Sequence, residues 1–150
     1  MFYYKIAVLG GNMTVRSFAS FDAAIPSAQQ VTASATVAGR QLLEFLTGQL
    51  RARGFTITPV ARHDSYGWYA EVSVDRGVIW IMLQMSDNWL LITRPIAPIL
   101  RRVLRSISQT EHQRVCEAIH NVLAADARFE SIRWYTPEDF QNKLRGSAQP

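Results

Sequence analysis

Lysine is almost missing from this 150-residue chain: of its 16 basic Lys and Arg side chains, only Lys5 and Lys143 are lysines, one near each end. A Schiff-base lysine inside a folded core is therefore not expected. Cysteine is as scarce. Cys116 stands alone, which rules out an intrachain disulfide and fits a reducing, cytoplasmic setting. The patterns GxGxxG, GxxxxGK[ST] and CxxC do not occur, so no glycine-rich phosphate loop and no cysteine-pair metal or redox centre is expected. Long apolar runs are missing too. Ile6–Leu9 near the start is far shorter than the ~20 residues that span a bilayer and too short for a signal-peptide core, so neither membrane insertion nor export is expected. Charged residues make up 19% and hydrophobic residues 48%, a balance unlike that of chains too polar to offset their conformational entropy.

What is present reads as one α+β domain, since 150 residues is an ordinary single-domain length and can bury a core unaided. Residues 2–9 could form an N-terminal strand, with Met13 an alternative start. The Ser-, Ala- and Thr-rich stretch 13–35, punctuated by Pro26, reads as an irregular lead-in with Phe18 and Phe21 tucked onto the body. A helix is predicted from Ser34 or Thr36 to Arg53, with Gly54 as its left-handed stop and Leu42, Leu43, Phe45, Leu46 and Leu50 on one stripe. Gly39 lies in that stripe, where the missing side chain would let another element approach closely.

Four strands follow, at 55–61, 68–75, 78–85 and 89–94, rich in β-branched and aromatic residues. Pro59 cannot donate to a ladder and puts the first at an edge or a bulge. The C-terminal third predicts a short helix over 96–105 broken at Pro98, a helix from Thr110 to about Asp126 and an edge strand at 131–135. A last helix, capped by Thr136 with Pro137 behind it, runs to about Leu144, and 146–150 is expected to fray. The fold expectation is a two-layer domain, a four- to five-stranded antiparallel meander packed by an N-terminal helix and C-terminal helices.

Two-residue turns at Arg76-Gly77 and Asp87-Asn88 would put Trp68, Ala70, Val72, Val74, Ile79, Ile81, Leu83, Met85, Leu90 and Ile92 on one apolar side. The other side would then carry Tyr69, Glu71, Ser73, Trp80, Met82, Gln84, Trp89, Leu91 and Thr93. A wet face normally alternates polar residues, and this one holds two indoles, a methionine and a leucine. Three explanations compete: residues 1–35 fold over it, a protein partner or second copy docks there, or it forms a groove for an apolar ligand oriented by Glu71 and Gln84.

Chemical motifs are weaker. In HDSYGW (63–68), Asp64 and Ser65 suit a turn and Gly67 relieves crowding before Trp68, while consecutive side chains tend to diverge and do not make a triad by adjacency. His112, Cys116 and His120 recur every fourth residue on a helix, but they lack an evident fourth ligand, so a metal site is not expected. Arg94, Arg101, Arg102 and Arg105 form the one basic run without an acid, readable as a solvated helix face or as a nucleic-acid contact.

The sequence thus points to a small non-enzymatic interaction module of inhibitor, immunity or adaptor type. It would use no cofactor or catalytic residue and bind a protein partner or itself through Tyr69, Glu71, Trp80, Met82, Gln84, Trp89 and Leu91. A hydrolase or transferase using His63, Asp64 and Glu71 is the first rival. Weak nucleic-acid binding through Arg94–Arg105 is the second, disfavoured because single-strand binders interleave basic side chains with their stacking aromatics.

Overall fold

The structure is a computed structural model and describes residues 15–24, 32–64, 67–85, 88–96 and 107–150, with the side chains of the first helix described from residue 37. The expected strand at 2–9, the helix at 96–105 and Arg101, Arg102 and Arg105 lie outside the described residues. The elements run β1 (Phe18–Ala23), α1 (Thr32–Ala52), β2 (Ala61–His63), β3 (Gly67–Val74), β4 (Gly77–Met85), β5 (Trp89–Ile96), α2 (Gln109–Ala124), β6 (Phe129–Tyr135) and α3 (Pro137–Gln141). The six strands form one antiparallel sheet in the order β2-β3-β4-β5-β1-β6.

α1 lies on one face of the sheet against β3 and β4, with α2 beside it and reaching β6. Ala38, Leu42, Leu43, Leu46 and Leu50 are buried there, as the helical stripe predicts, against Val72, Ile79, Ile81, Leu83 and Leu91. A Cβ built on Gly39 would meet Trp68 Cδ1 at 3.0 Å and Trp89 Cζ3 at 3.4 Å, so the missing side chain lets helix and sheet approach closely here. Gly54 ends the helix with φ +94°. Arg51 then ties that end to the following segment, donating from Nη2 to Thr58 O at 2.8 Å.

The expected four- to five-stranded meander is a six-stranded sheet in which β1 and β6 break the sequential order, and the strand expected at 55–61 is confined to β2, with an isolated bridge from Ile57 to Val72. Three further expectations change. Residues 18–23 are a central strand, not an irregular lead-in: β1 is hydrogen-bonded to β5 on one side and β6 on the other. Ala, Ser and Asp have weak strand propensity and mask the alternation, yet Phe18 and Ser20 point one way and Ala19 and Phe21 the other. In the β3–β4 hairpin Val74 pairs with Gly77, so Asp75-Arg76 is the loop. Glu111 Oε1 accepts the Asp75 amide at 3.1 Å, a contact from α2 that local turn chemistry cannot foresee. That register differs from the expected one by two residues, which keeps every side chain of β3 and β4 on its expected face.

The third change is by one residue. Met85 pairs with Trp89 instead of Leu90, and Leu83 with Leu91, leaving residues 86–88 between the strands. A one-residue slip exchanges the faces of β5. Trp89, Leu91 and Thr93 belong to the core side, while Leu90, Ile92 and Arg94 take the other. On the core side the Trp89 indole packs beside Gly39, and Trp89 is the register partner of Phe21.

The C-terminal third differs in detail. Ser108, not Thr110, caps α2, its Oγ accepting the Glu111 amide at 3.1 Å. β6 starts at Phe129 and carries a bulge opposite Ser20 and Asp22, where Ser131 has φ +55°. Thr136 and Pro137 open α3 as expected, but the helix stops at Gln141. The terminal segment does not fray: Ser147 exchanges two backbone hydrogen bonds with Trp134, at 2.7 and 2.8 Å, and Pro150 O accepts from Gln113.

Candidate partner-binding face

Alternation along each strand and the observed pairings define the second face. One rung crosses all six strands: Ala61, Tyr69, Met82, Ile92, Phe18 and Tyr135 stand side by side. Such cross-strand neighbours pack directly on one another. Phe18, Met82 and Ile92 form a second, smaller apolar cluster, rimmed by the partly exposed Tyr69, Trp80, Leu90 and Tyr135.

The two halves of this face differ. At the β1–β6 end α3 lies over the sheet, where Phe140 makes edge contacts with Phe18 at 5.1 Å and Tyr135 at 5.6 Å between centroids. This places α3 on the face opposite α1 and α2. At the β3–β4 end the Tyr69 and Trp80 rings lie 5.6 Å apart with planes tilted by 38°, and His63 meets Tyr69 edge-on at 6.0 Å. Trp80 stands between Glu71 on β3 and Arg94 on β5, its direct neighbours on either side. Gln84 continues the face on β4, beside Leu90.

Of the seven residues expected to line this face, five are on it: Tyr69, Glu71, Trp80, Met82 and Gln84. Trp89 and Leu91 are not, being 3% and 0% exposed within the main core. Phe18, Leu90, Ile92 and Tyr135 were missed. The alternation in 18–23 could have found Phe18; nothing in the sequence set the Met85–Trp89 pairing that brings in Leu90 and Ile92.

The spaced triplet of α2 is split. Thr93 Oγ1 donates to Ser17 O at 3.0 Å, which uses its only hydrogen and leaves the oxygen to accept from His112 Nε2 at 2.7 Å and from the Cys116 thiol at 3.5 Å. Thr93 is thereby saturated, and His112 takes the Nε2–H tautomer. His120 faces elsewhere, its Nδ1 accepting from Trp134 Nε1 at 3.2 Å. Among the described residues no group of three His, Cys, Asp or Glu side chains is placed to hold a metal. Burial holds the His112 imidazole neutral, its pKa pushed down to about 4, and pushes the Cys116 thiol up to about 12. A thiol so protonated is a poor nucleophile, and this cluster ties α2 to the sheet.

The hydrolytic pair raised by the sequence does not converge. His63 lies opposite Gly67, and Glu71 is four residues further along β3, a separation of ~13 Å at the usual strand rise. Ser65 and Tyr66 lie outside the described residues. A shallow depression of about 350 Å³ beside α1 is lined by Glu44, Arg51, Ile57, Pro59 and Val60, and Glu44 there is ion-paired with Arg40 at 2.8 Å. Of the basic run only Arg94 is described, and it is exposed on the sheet next to Trp80. No helix among the described residues is long and apolar enough to cross a membrane. Comparison with protein-family models, with curated proteins and with solved structures finds no significant match to this chain.

Proposed function

We propose that this protein is a small non-enzymatic interaction module, of the inhibitor, immunity or adaptor kind, that binds a protein partner through the β3–β5 half of its second sheet face. The observation that carries the reading is the tilted Tyr69–Trp80 pair, partly exposed above a buried Met82 and bordered by Glu71, Gln84 and Arg94. A central aromatic anchor ringed by polar groups is the composition that dominates protein–protein interfaces. Charge opposite in sign on the two sides of the anchor adds orientation. The five expected residues that lie on the face serve this role, with Leu90, Ile92 and Arg94 joining them in place of Trp89 and Leu91.

Acrylamide quenching of the wild type and of a Trp80→Phe variant tests it, the difference isolating Trp80. The expected result is a readily quenched Trp80 in the dilute protein, with Trp80→Ala lowering stability by only about 1 kcal/mol, as for a side chain that is not fully packed. A Trp80 shielded in the monomer, or an unfolded Trp80→Ala variant, would assign the ring to the core and remove the site.

A further inference from the structure

We infer that the partner seated on this face is a second copy of the same chain, related by a two-fold axis that runs along β4 between two facing sheets; this rests on the reading of the face as a partner site. The charge pattern selects it. Glu71, Trp80 and Arg94 form one rung, with Trp80 on β4 at its centre and opposite charges one strand away on either side. Among the described residues neither Glu71 nor Arg94 has an ion-pair partner within the chain. Rotation about an axis along β4 exchanges the two sides of the rung. Glu71 of each copy then lies over Arg94 of the other, and the two Trp80 rings meet at the centre. The alternative face-to-face rotation, about an axis across the strands through this rung, sets Glu71 over Glu71 and Arg94 over Arg94, and like charges so placed repel. The face is therefore self-complementary in one orientation, as an isologous interface requires.

Shape agrees with charge. The sheet is lopsided about β4, with β3 and β2 on one side and β5, β1 and β6 on the other. α3, carried over the β1–β6 end, makes the ridge on this face. The same rotation moves the β6 position of one copy beyond the β2 edge of the other, where no described strand stands. Facing sheets are ~10 Å apart, so α3 of each copy would lie alongside the partner's edge instead of under its sheet. On the rung through Met82 the β1 position comes over β2, so Phe140, packed on Phe18, would face Ala61, the smallest side chain on that line.

The test is sedimentation velocity of the full chain over a concentration series, for the wild type, Glu71→Arg, Arg94→Glu, an equimolar mixture of these two variants, and the double variant. The wild type should form a dimer that weakens with added salt. Each single reversal should raise the dimer dissociation constant about tenfold or more, through two like-charge contacts. Mixing the single variants should restore association, because one supplies only positive and the other only negative groups, and the double variant should dimerise alone. Circular dichroism verifies folding; if either reversal unfolds the chain, Glu71→Gln and Arg94→Gln replace the pair and should each weaken the dimer. A wild type that stays monomeric, or reversals that mixing does not rescue, would overturn the proposal. A monomer with a quenchable Trp80 removes only the second copy, whereas a monomer with a shielded Trp80 removes the partner site as well.

Discussion

Thr93 Oγ1 and His112 Nε2 lie 2.7 Å apart, joining β5 to α2 through two side chains sealed from solvent. The imidazole is neutral, with a pKa near 4 against the 6.5 of an unconstrained histidine. Between those values the unfolded chain binds more protons than the folded one, so stability is fully present above pH 6.5 and is lost as the pH falls toward 4. His120 is shifted in the same direction by burial and adds to the loss. Urea unfolding at pH 7 and pH 5 should show a drop on the order of 1–2 kcal/mol. His112→Gln, which can still donate to Thr93, should flatten that dependence.

Cys116 shares the same hydroxyl and has no exposed surface. Its thiol should not react with a disulfide reagent in the native protein at pH 8, and labelling should follow the rate at which α2 leaves the sheet. Fast labelling without denaturant would contradict the packing of α2. Thr93→Val should speed labelling and cost about 1–3 kcal/mol, since it leaves His112 Nε2–H buried without an acceptor.

Three glycines should respond in different ways to alanine. Gly48 is exposed on α1 with nothing near a built Cβ, so Gly48→Ala should stabilise by roughly 0.5–1 kcal/mol through helix propensity. Gly67 has φ +94° and its Cβ would come 2.6 Å from the Leu83 carbonyl oxygen. Gly67→Ala should therefore cost at least about 2 kcal/mol and disturb the β3–β4 pairing. Gly54 has the same φ in open space, so Gly54→Ala should cost only about 1 kcal/mol of left-handed strain. Thermal unfolding ranks all three.

Two buried tryptophans provide the contrast to Trp80. Trp134 is fully buried, bonded to His120 and bridged to Ser147, and Trp89 fills the space above Gly39. Truncating either to Ala should cost about 3–5 kcal/mol. Equal losses for Trp80, Trp89 and Trp134 would show that the two sides of the sheet are equally packed.

The elements governed by local chemistry were legible in the sequence. The α1 stripe, the stop at Gly54, the close approach at Gly39 and the Thr136-Pro137 start of α3 all follow from short-range patterns, as do the bodies of β3, β4 and β5. Registers were not. Asp75 is held by Glu111 from a distant helix, and Trp89 is drawn inward by room that only the folded α1 provides. Because side chains alternate at every step, that single slip at β5 moved Trp89 and Leu91 from the candidate site to the core, while the two-residue slip at β3–β4 moved nothing. β1 escaped notice because Ala, Ser and Asp conceal a strand whose partners lie far along the chain. Its aromatic residues were nonetheless expected on the body, and both are buried there.

Seating β1 between β5 and β6 carries a cost in time. Residues 67–96 can zip into hairpins as soon as they leave the ribosome, because their partners are neighbours. Phe18 emerges much earlier and must wait for Ile92, then for Tyr135, before either flank is satisfied. β1, made before both of its partners, is thus among the last strands to be locked, and a ribosome stalled before β6 would leave one side of β1 unpaired.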